Sequence, residues 1–590
     1  MDEDTLHDST GEGEFEPLGD ERPPSPPPPR PSSPPDDLAG SAASSLVARI
    51  KARQTGPAAL GKKPLRHSVA FALTVLLVPT LIALGTWSSY WARQRNDQYQ
   101  LLVLGQTVYH GGRMYVDAWE NKPPGVAWLN AAGYALGRGR ALVAWILPGV
   151  AALVGVLIFA SAMARLLTPL AARRAALLAA IVFSLRLYDS PSAHPDFYSA
   201  IVELVAASFW LLALYALSDK GRVGYGLFAG LALALACTFR HTGSIGLLAV
   251  SVGTLLMLFG SSVDRRAWVM VSMSVWSGVL VGVGAVIGAL YWAGSVEPAW
   301  EAIVAFNRGL LAEQHVSEAL GSWRRSVDGL LPLRLPIWLG MVGVVATLFA
   351  RETQRASRGP AGVLLLWWLL QVAVALLGPS QSMRYWQASW GPMLCLAAIG
   401  LFQLELAYLK LPVGYRAGYV LACATVLVML FRPLAQSYRH GVADSYLAYA
   451  AYREQSGGSG DGSVVGDSAK RSERMRYEEI GRAVRELVPE GERIYVMAYD
   501  AGVYVHADRL PASRFTYPRS RAQMDEILSD LESGKAYALL VPDRPAPAFE
   551  SWCDGACHER VAVIRAGYST FTQIDGYRVW HRGPSSEATH

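Results

Sequence analysis

Long apolar stretches separated by short polar loops occupy the middle of the sequence, from residue 67 to residue 432. A helix needs roughly 17–25 apolar residues to cross the hydrocarbon core of a bilayer. The pattern therefore predicts about eleven membrane-spanning helices, at 67–91, 141–164, 171–187, 198–218, 223–239, 243–260, 267–293, 332–350, 361–378, 385–408 and 415–432. A shorter apolar stretch at 124–137 predicts an interfacial or re-entrant helix.

The composition supports an integral membrane protein, because 52% of the 590 residues are hydrophobic and only 17% are charged. Soluble domains are nearer a quarter charged. Residues 1–66 differ from this pattern: 1–38 carry eleven acidic and two basic residues and include a Pro-rich run, whereas 39–66 carry six basic and no acidic ones. We interpret 1–66 as a disordered cytoplasmic tail without a signal peptide.

Beyond the predicted membrane domain (67–432), hydropathy falls. Residues 433–472 are interpreted as a juxtamembrane segment followed by a flexible Gly/Ser linker, and 473–590 as a small α/β domain. In that domain RMRYEEIGRAVRELV predicts a helix, and ERIYVMAYD, YALLVPD and ERVAVIRAG predict strands. Cys553 and Cys557 could form a disulfide on an oxidising face or remain two free thiols.

Positive charge predicts the orientation of the chain. If the basic segment before the first span is cytoplasmic, the later cytoplasmic loops are also net basic, which follows the positive-inside rule. The C-terminal domain is then extracytoplasmic, on the periplasmic side of a bacterial inner membrane. The first outer loop breaks the rule with six cations, Arg93, Arg95, Arg113, Lys122, Arg138 and Arg140. An anionic ligand explains this excess, and phospholipid headgroups remain an alternative.

The same loop holds the most suggestive chemistry. It places Asp97, Asp117, Glu120 and Lys122 beside an apolar span. Ionisable groups at such a boundary are costly and are usually retained for function. A carboxylate close to a cation is suited to moving a proton beside an anionic group.

Five segments carry a family resemblance: Asp97 followed by GGRMYVDAWENKPPG, then SAHPDFYSAIVEL, GLFAGLALALACTFRHTG, SMRYWQASWGPMLCLAAIG and, in the C-terminal domain, RIYVMAYDAGVYVHADRLPASRFTY. Together they resemble the bacterial branch of the GT-C glycosyltransferases, the protein mannosyltransferase and aminoarabinose-transferase relatives that use polyprenyl-phosphate sugars. Two features depart from the family pattern. Asp97-Gln98 replaces a more usual Asp-Glu pair, and Arg240-His241 stands where a lysine is more usual.

The resemblance implies a GT-C-like helical fold and an inverting sugar transfer to an acceptor outside the cytoplasm. It makes Asp97 the candidate catalytic base and Lys122 a phosphate ligand, with no required cofactor and no sequence support for a metal. The remaining candidates for binding donor phosphate or sugar are Arg240, Arg384, Asp196, Asp117 and Tyr385. Expected partners are the lipid-linked donor, membrane lipids and the acceptor, not nucleic acid.

Four of the seven candidates also have a structural explanation. Asp97 and Asp196 could cap helices, Lys122 could extend to lipid headgroups, and Asp117 could be a hydrogen-bond acceptor within its loop. At the level of the whole protein, a transporter or flippase is the alternative class, although no internal repeat supports it. A third possibility is a membrane-anchored binding protein whose C-terminal domain does the work.

Overall fold

The computed structural model describes residues 65–91, 96–185, 191–259, 264–312, 330–349, 358–377, 383–456, 473–543, 552–553 and 555–582. The predicted tail and Gly/Ser linker fall outside these residues, except for the first helical residues of α1. The helices of the N-terminal part are α1 Leu65–Trp91, α2 Asn96–Tyr109, α3 Gly125–Leu136, α4 Leu142–Leu166, α5 Pro169–Phe183, α6 Pro195–Leu214, α7 Asp219–Phe239, α8 Ser244–Leu258 and α9 Arg265–Trp292. They are followed by α10 Val296–Trp300, α11 Phe306–Ala312, α12 Arg334–Leu348, α13 Arg358–Leu377, α14 Trp390–Lys410 and α15 Val413–Ser456.

Ten helical segments of the described residues are long and apolar enough to cross a membrane, so the chain is a multi-pass membrane protein. They match ten of the eleven predicted spans. The predicted span at 171–187 is instead the 15-residue helix α5. Since a helix rises 1.5 Å per residue, α5 is only about 22 Å long, short of a bilayer core of about 30 Å. The apolar residues of α5 are explained by burial, because its alanine-rich surface packs inside the helical bundle.

The last membrane helix is longer than its apolar sequence predicts. The span expected at 415–432 belongs to α15, which continues to Ser456 through Pro433. Its polar second half runs alongside the C-terminal end of α1, where the hydroxyls of Ser88 and Ser445 lie 2.7 Å apart. Tyr449 packs against Trp91, with ring centroids 5.0 Å apart. Packing against α1 thus holds the segment that the sequence analysis interpreted only as juxtamembrane.

Two short helices lie beside the spans and position the candidate site. The helix predicted at 124–137, interfacial or re-entrant, is present as α3, and α2 packs directly against it. A Cβ at Gly105 would come within 2.4 Å of the Asn130 Cβ atom, so glycine is what allows this close approach. The Asn130 side chain donates to the Leu101 carbonyl over 2.9 Å, which joins the two helices.

The C-terminal domain is α/β, as predicted, with a four-stranded sheet in the order β1-β2-β4-β3. The strands are β1 Ile494–Val496, β2 Ala538–Pro542, β3 Thr570–Ile574 and β4 Tyr577–His581. Strands β1 and β2 are parallel, and the other two pairings are antiparallel. The helices of this domain are α16 Glu473–Leu487, α17 Gly502–Ala507, α18 Arg521–Glu532 and α19 Gly555–Ala566.

The prediction of a strand at ERVAVIRAG is wrong, because that segment lies in α19. Its apolar residues follow a helical spacing: Cys557 and Ile564 are buried, whereas Val563 is 72% exposed. The strands that were missed form a hairpin around Asp575 and Gly576, both with positive φ. Asp-Gly is the residue pair that such a two-residue turn prefers. Cys553 and Cys557 are joined by a disulfide, which decides between the two alternatives left open above.

Candidate active site

Asp97 lies in the first turn of α2, which begins at Asn96. Its carboxylate is directed away from the helix. Arg384 Nη2 donates to Asp97 Oδ2 over 2.7 Å, and the Tyr499 hydroxyl donates to Oδ1. These contacts disfavour the capping alternative, because the carboxylate is engaged by a distant cation and by the C-terminal domain.

Two opposing effects set the pKa of Asp97. Burial raises it, but the Arg384 guanidinium, the Tyr499 hydroxyl and the charge of Lys122 together lower it below its ordinary value. The side chain is still 35% exposed, so a ligand can approach it. Asp97 is therefore an ionised and accessible carboxylate, and it lies near enough to Lys122 to be affected by its charge.

Behind Arg384 lies a buried chain of polar groups. Arg384 Nη1 lies 2.5 Å from His194 Nε2, and an arginine can only donate, so this nitrogen accepts. His194 Nδ1 then carries the proton and lies 2.9 Å from Asp196 Oδ2. The other oxygen of Asp196 forms an ion pair with Arg240. Arg384 and Arg240 are thus held apart from each other by one histidine and one carboxylate.

Arg240 follows the C-terminal end of α7 and has an extended backbone, before a short 3-10 turn at His241–Gly243 leads into α8. Its guanidinium lies 4.1 Å from the centroid of the Tyr385 ring, a cation–π contact. The α7 end also meets the start of α3, since a Cβ at Gly125 would lie 2.7 Å from the Thr238 carbonyl oxygen. This close approach brings the loop that carries Lys122 next to Arg240.

Lys122 is held by Glu120, with 2.9 Å between Nζ and Oε1. Glu120 is almost completely buried. Burial would raise its pKa, but the positive charges of Lys122 and Arg519 lower it instead. Arg519 Nη1 also donates to Asn121 Oδ1 over 3.2 Å. A buried carboxylate thus fixes the lysine side chain, which remains 30% exposed towards the site.

The C-terminal domain supplies two site residues that the sequence analysis missed, Tyr499 and Arg519. Tyr499 comes shortly after β1, near the carboxyl end of a parallel strand, where α/β proteins commonly place functional side chains. The next residue, Asp500, accepts hydrogen bonds from the hydroxyls of Tyr477 (2.9 Å) and Tyr577. Asn96 also donates to Asp500 over 3.4 Å, which ties this strand end to the start of α2.

The structure therefore brings together six of the seven site candidates from the sequence: Asp97, Lys122, Asp196, Arg240, Arg384 and Tyr385. Asp117 is placed elsewhere. Its carboxylate accepts from the Arg113 backbone N–H over 2.8 Å and lies 3.4 Å from Arg113 Nε, half-exposed on the loop. This is the structural role that was the alternative for Asp117. The capping alternative for Asp196 also fails, because its carboxylate is occupied by His194 and Arg240.

The charged groups around Asp97 have the electrostatics of an anion-binding site with one accessible base. Lys122, Arg240 and Arg384 are 30%, 12% and 14% exposed, so each keeps part of its surface for a ligand. Their counter-charges Glu120 and Asp196 are buried and fully engaged. A phosphate group could bind between the cations while Asp97 accepts a proton beside it.

Comparison with known proteins agrees with this chemistry. The sequence profile of the dolichyl-phosphate-mannose-protein mannosyltransferase family matches residues 121–292. This segment contains Lys122, Asp196 and Arg240. No curated protein matches the chain.

Solved structures share the fold at low sequence identity. ArnT from Cupriavidus metallidurans in the apo state is 14% identical, with a TM-score of 0.54 over 88% of this chain and 100% of that chain. The apo oligosaccharyltransferase of Archaeoglobus fulgidus is also 14% identical, with a TM-score of 0.52 over 86% and 73% of the two chains. Its relative AglB from the same organism, in complex with an inhibitory peptide and a dolichol-phosphate, reaches 0.51 at 14% identity over 89% and 75%.

At this identity the structural likeness establishes the fold. The profile match adds sequence similarity to the family in the segment that carries Lys122, Asp196 and Arg240. The chain thus shares its fold with these membrane proteins, and residues 121–292 are similar in sequence to the dolichyl-phosphate-mannose-protein mannosyltransferase family.

Proposed function

We propose that the protein transfers a sugar from a polyprenyl-phosphate donor to a hydroxyl of an extracytoplasmic acceptor. The observation that carries the proposal is the cluster of charges in which Asp97, an ionised and accessible carboxylate, contacts Arg384 and lies close to Lys122. AglB is described in complex with a dolichol-phosphate, a lipid of the class expected here.

The leaving group of such a donor is a phosphate, which gains negative charge as the glycosidic bond breaks. Lys122, Arg240 and Arg384 can stabilise that charge without reorganisation, because Glu120, Asp196 and His194 already hold them in place. The proposal assigns charge neutralisation to these cations and requires no metal ion.

Asp97 takes the proton of the acceptor hydroxyl as that oxygen attacks the anomeric carbon. Both carboxylate oxygens are engaged in this structure, by Arg384 and by Tyr499. Donor phosphate competes for Arg384, so donor binding would free Asp97 Oδ2 for the acceptor. Attack from the side opposite the phosphate gives inversion of configuration.

We also propose the orientation of the chain. The site lies at the same end of the spans as the C-terminal domain, with Asp97 following α1 and Arg384 preceding α14. The opposite end carries cations such as the half-buried Arg222 and the exposed Arg266, which form ion pairs with Asp219. Since positive loops favour the cytoplasm, the site faces the periplasm or cell exterior in a bacterial inner membrane.

Mass spectrometry of envelope glycans, glycolipids and glycoproteins in a deletion strain tests the function. We expect one sugar to disappear from one acceptor class and to return with the wild-type gene or with the Asp117→Asn variant. The Asp97→Asn variant should not restore it. Restoration by Asp97→Asn, at equal protein level, would reject the assignment of the base, and an unchanged envelope profile would argue against a transferase of envelope acceptors.

A further inference from the structure

A second group of cations lies between the C-terminal domain and the outer ends of α1 and α4. A cavity of about 270 Å³ opens there, lined in part by Arg140, Arg474 and Arg485. None of the three contacts the cleft around Asp97. The catalytic proposal leaves Arg140 unexplained, although it is one of the cations that break the positive-inside rule in the first outer loop.

The three arginines differ in how many hydrogen bonds and ion pairs their side chains already make within the protein. Arg474 is part of the wall: its Nε donates to Glu478 over 2.8 Å, its Nη2 donates to the Tyr90 hydroxyl over 2.5 Å, and it stacks on the Tyr90 ring. Arg485 donates to the His506 carbonyl through one nitrogen only. Arg140 is exposed, and its side chain makes no ion pair or hydrogen bond with any residue that the structure describes.

The acidic groups of the cavity are already engaged. Glu478 pairs with Arg474, and Asp508 accepts from Gln106 Nε2 over 2.9 Å. His506 adds no charge, because burial and the neighbouring Arg474 and Arg485 lower its pKa to about 3. Three arginines against two carboxylates leave the cavity with net positive charge.

The cavity also lies at a depth where lipid headgroups are found. Its wall includes Tyr90 at the outer end of α1 and Trp145 in the first turn of α4. Tyrosine and tryptophan favour the membrane–water interface, where an apolar ring meets a polar headgroup. A ligand here would be both anionic and partly apolar.

We propose that this cavity binds the phosphate of an anionic phospholipid from the outer leaflet, through Arg140 and Arg485. The site is separate from the donor cleft and does not depend on the proposed reaction. It would also have a mechanical consequence. Helix α16, which carries Arg485, carries Tyr477 as well, and the Tyr477 hydroxyl oxygen lies 2.6 Å from Asn96 Oδ1. Bound lipid would therefore stabilise the contact between the C-terminal domain and the start of α2.

Calorimetric titration of the full-length protein in uncharged detergent tests the site. The probes are short-chain phosphatidylglycerol, short-chain phosphatidylcholine and glycerol 3-phosphate. We expect saturable binding of phosphatidylglycerol, weakened about tenfold or more by Arg140→Glu and by Arg485→Gln, since a charged hydrogen bond to phosphate is lost. Two matched controls, Arg138→Glu and Arg482→Gln, change exposed arginines outside the cavity lining and should bind like the wild type.

The probes distinguish the source of the phosphate. Tight binding of phosphatidylglycerol with weak binding of glycerol 3-phosphate supports a lipid, whereas equal binding supports the same phosphate site filled by a soluble phosphate. The proposal is overturned if phosphatidylglycerol shows no saturable binding or if Arg140→Glu and Arg485→Gln bind it normally. Loss of binding in Lys122→Ala alone would place the anion in the catalytic cleft and would equally overturn the proposal.

Discussion

Asp97 and Asp196 form an instructive pair. Each lies in the first turn of a helix at the outer end of the spans, and each contacts an arginine of the same site. Their surroundings differ. Asp97 is 35% exposed and is engaged by one guanidinium and one phenol, whereas Asp196 is 2% exposed and holds His194 and Arg240 with its two oxygens.

This difference in exposure is the basis on which we propose a role in the reaction for Asp97 and a role in positioning cations for Asp196. A catalytic base must be reached by its substrate, and only Asp97 is accessible. A residue that positions cations must be rigid, and Asp196 is enclosed by the groups it orients. Carboxylates at similar positions in the sequence pattern can therefore have different roles, which only their burial reveals.

The largest expected effect comes from removing the charge of Asp97. Asp97→Asn should lower kcat by about 10²–10⁴-fold, because a positioned base typically contributes that much. Donor binding and thermal stability should change little, since the amide oxygen can still accept from Arg384 while the amide nitrogen can donate to the Tyr499 hydroxyl oxygen. Transfer assays and melting curves of the purified protein measure both, with Asp117→Asn as the matched control. Near-normal turnover in Asp97→Asn would remove the distinction between the two aspartates.

Asp196→Asn should behave differently. It leaves the buried Arg240 without its counter-charge, and breaking a buried ion pair typically costs about 3–5 kcal/mol. We expect a lower melting temperature and a higher KM for the donor, together with a smaller loss of kcat than in Asp97→Asn. Melting curves in detergent and donor titrations test this. A stable Asp196→Asn variant with the kinetics of Asp97→Asn would show that Asp196 takes part in the chemistry itself.

The sequence predicted the membrane half of this site well. Arg240, Arg384, Lys122 and Asp97 all lie at the ends of apolar stretches, and charge at such a boundary is conspicuous. Because successive spans alternate in direction, residues at every second boundary meet on one face of the membrane. The family resemblance added the roles, and the fold confirmed the architecture.

What could not be predicted depends on contacts between distant segments. Tyr499 and Arg519 lie some 400 residues from Asp97 and Glu120 along the chain, in a hydrophilic domain where polar residues are common. Nothing in their local pattern distinguishes them from other surface residues. The error at α19 has a similar cause, because a short run of apolar residues fits either a strand or a buried helix face until its packing is known.

Lys122→Ala tests the proposed role of a cation, in contrast to the two carboxylates. Lys122 is fixed by Glu120 but remains partly exposed, so the variant should lose a charged contact to donor phosphate. We expect the KM for the donor to rise about tenfold or more, with the KM for the acceptor nearly unchanged. Steady-state kinetics with each substrate varied in turn measure this, and equal effects on the two constants would argue against a phosphate contact. The buried Glu120 then lacks one of its two cations, so a melting curve must accompany the kinetics.

The smallest effect concerns the contribution of the C-terminal domain to the pKa of Asp97. The Tyr499 hydroxyl donates to Asp97 and helps to lower its pKa. Activity needs ionised Asp97, so it is present above that pKa and is lost as the pH falls through it. In Tyr499→Phe the pKa of Asp97 rises, and the acid limb of kcat against pH should move to higher pH, with the rate at neutral pH nearly unchanged because Asp97 stays ionised there. Tyr517→Phe is the control, because Tyr517 packs on the Tyr499 ring at 4.7 Å. An acid limb that shifts equally in both variants, or in neither, would mean that Tyr499 contributes packing alone. The pKa of Asp97 would then be set entirely by groups of the membrane domain.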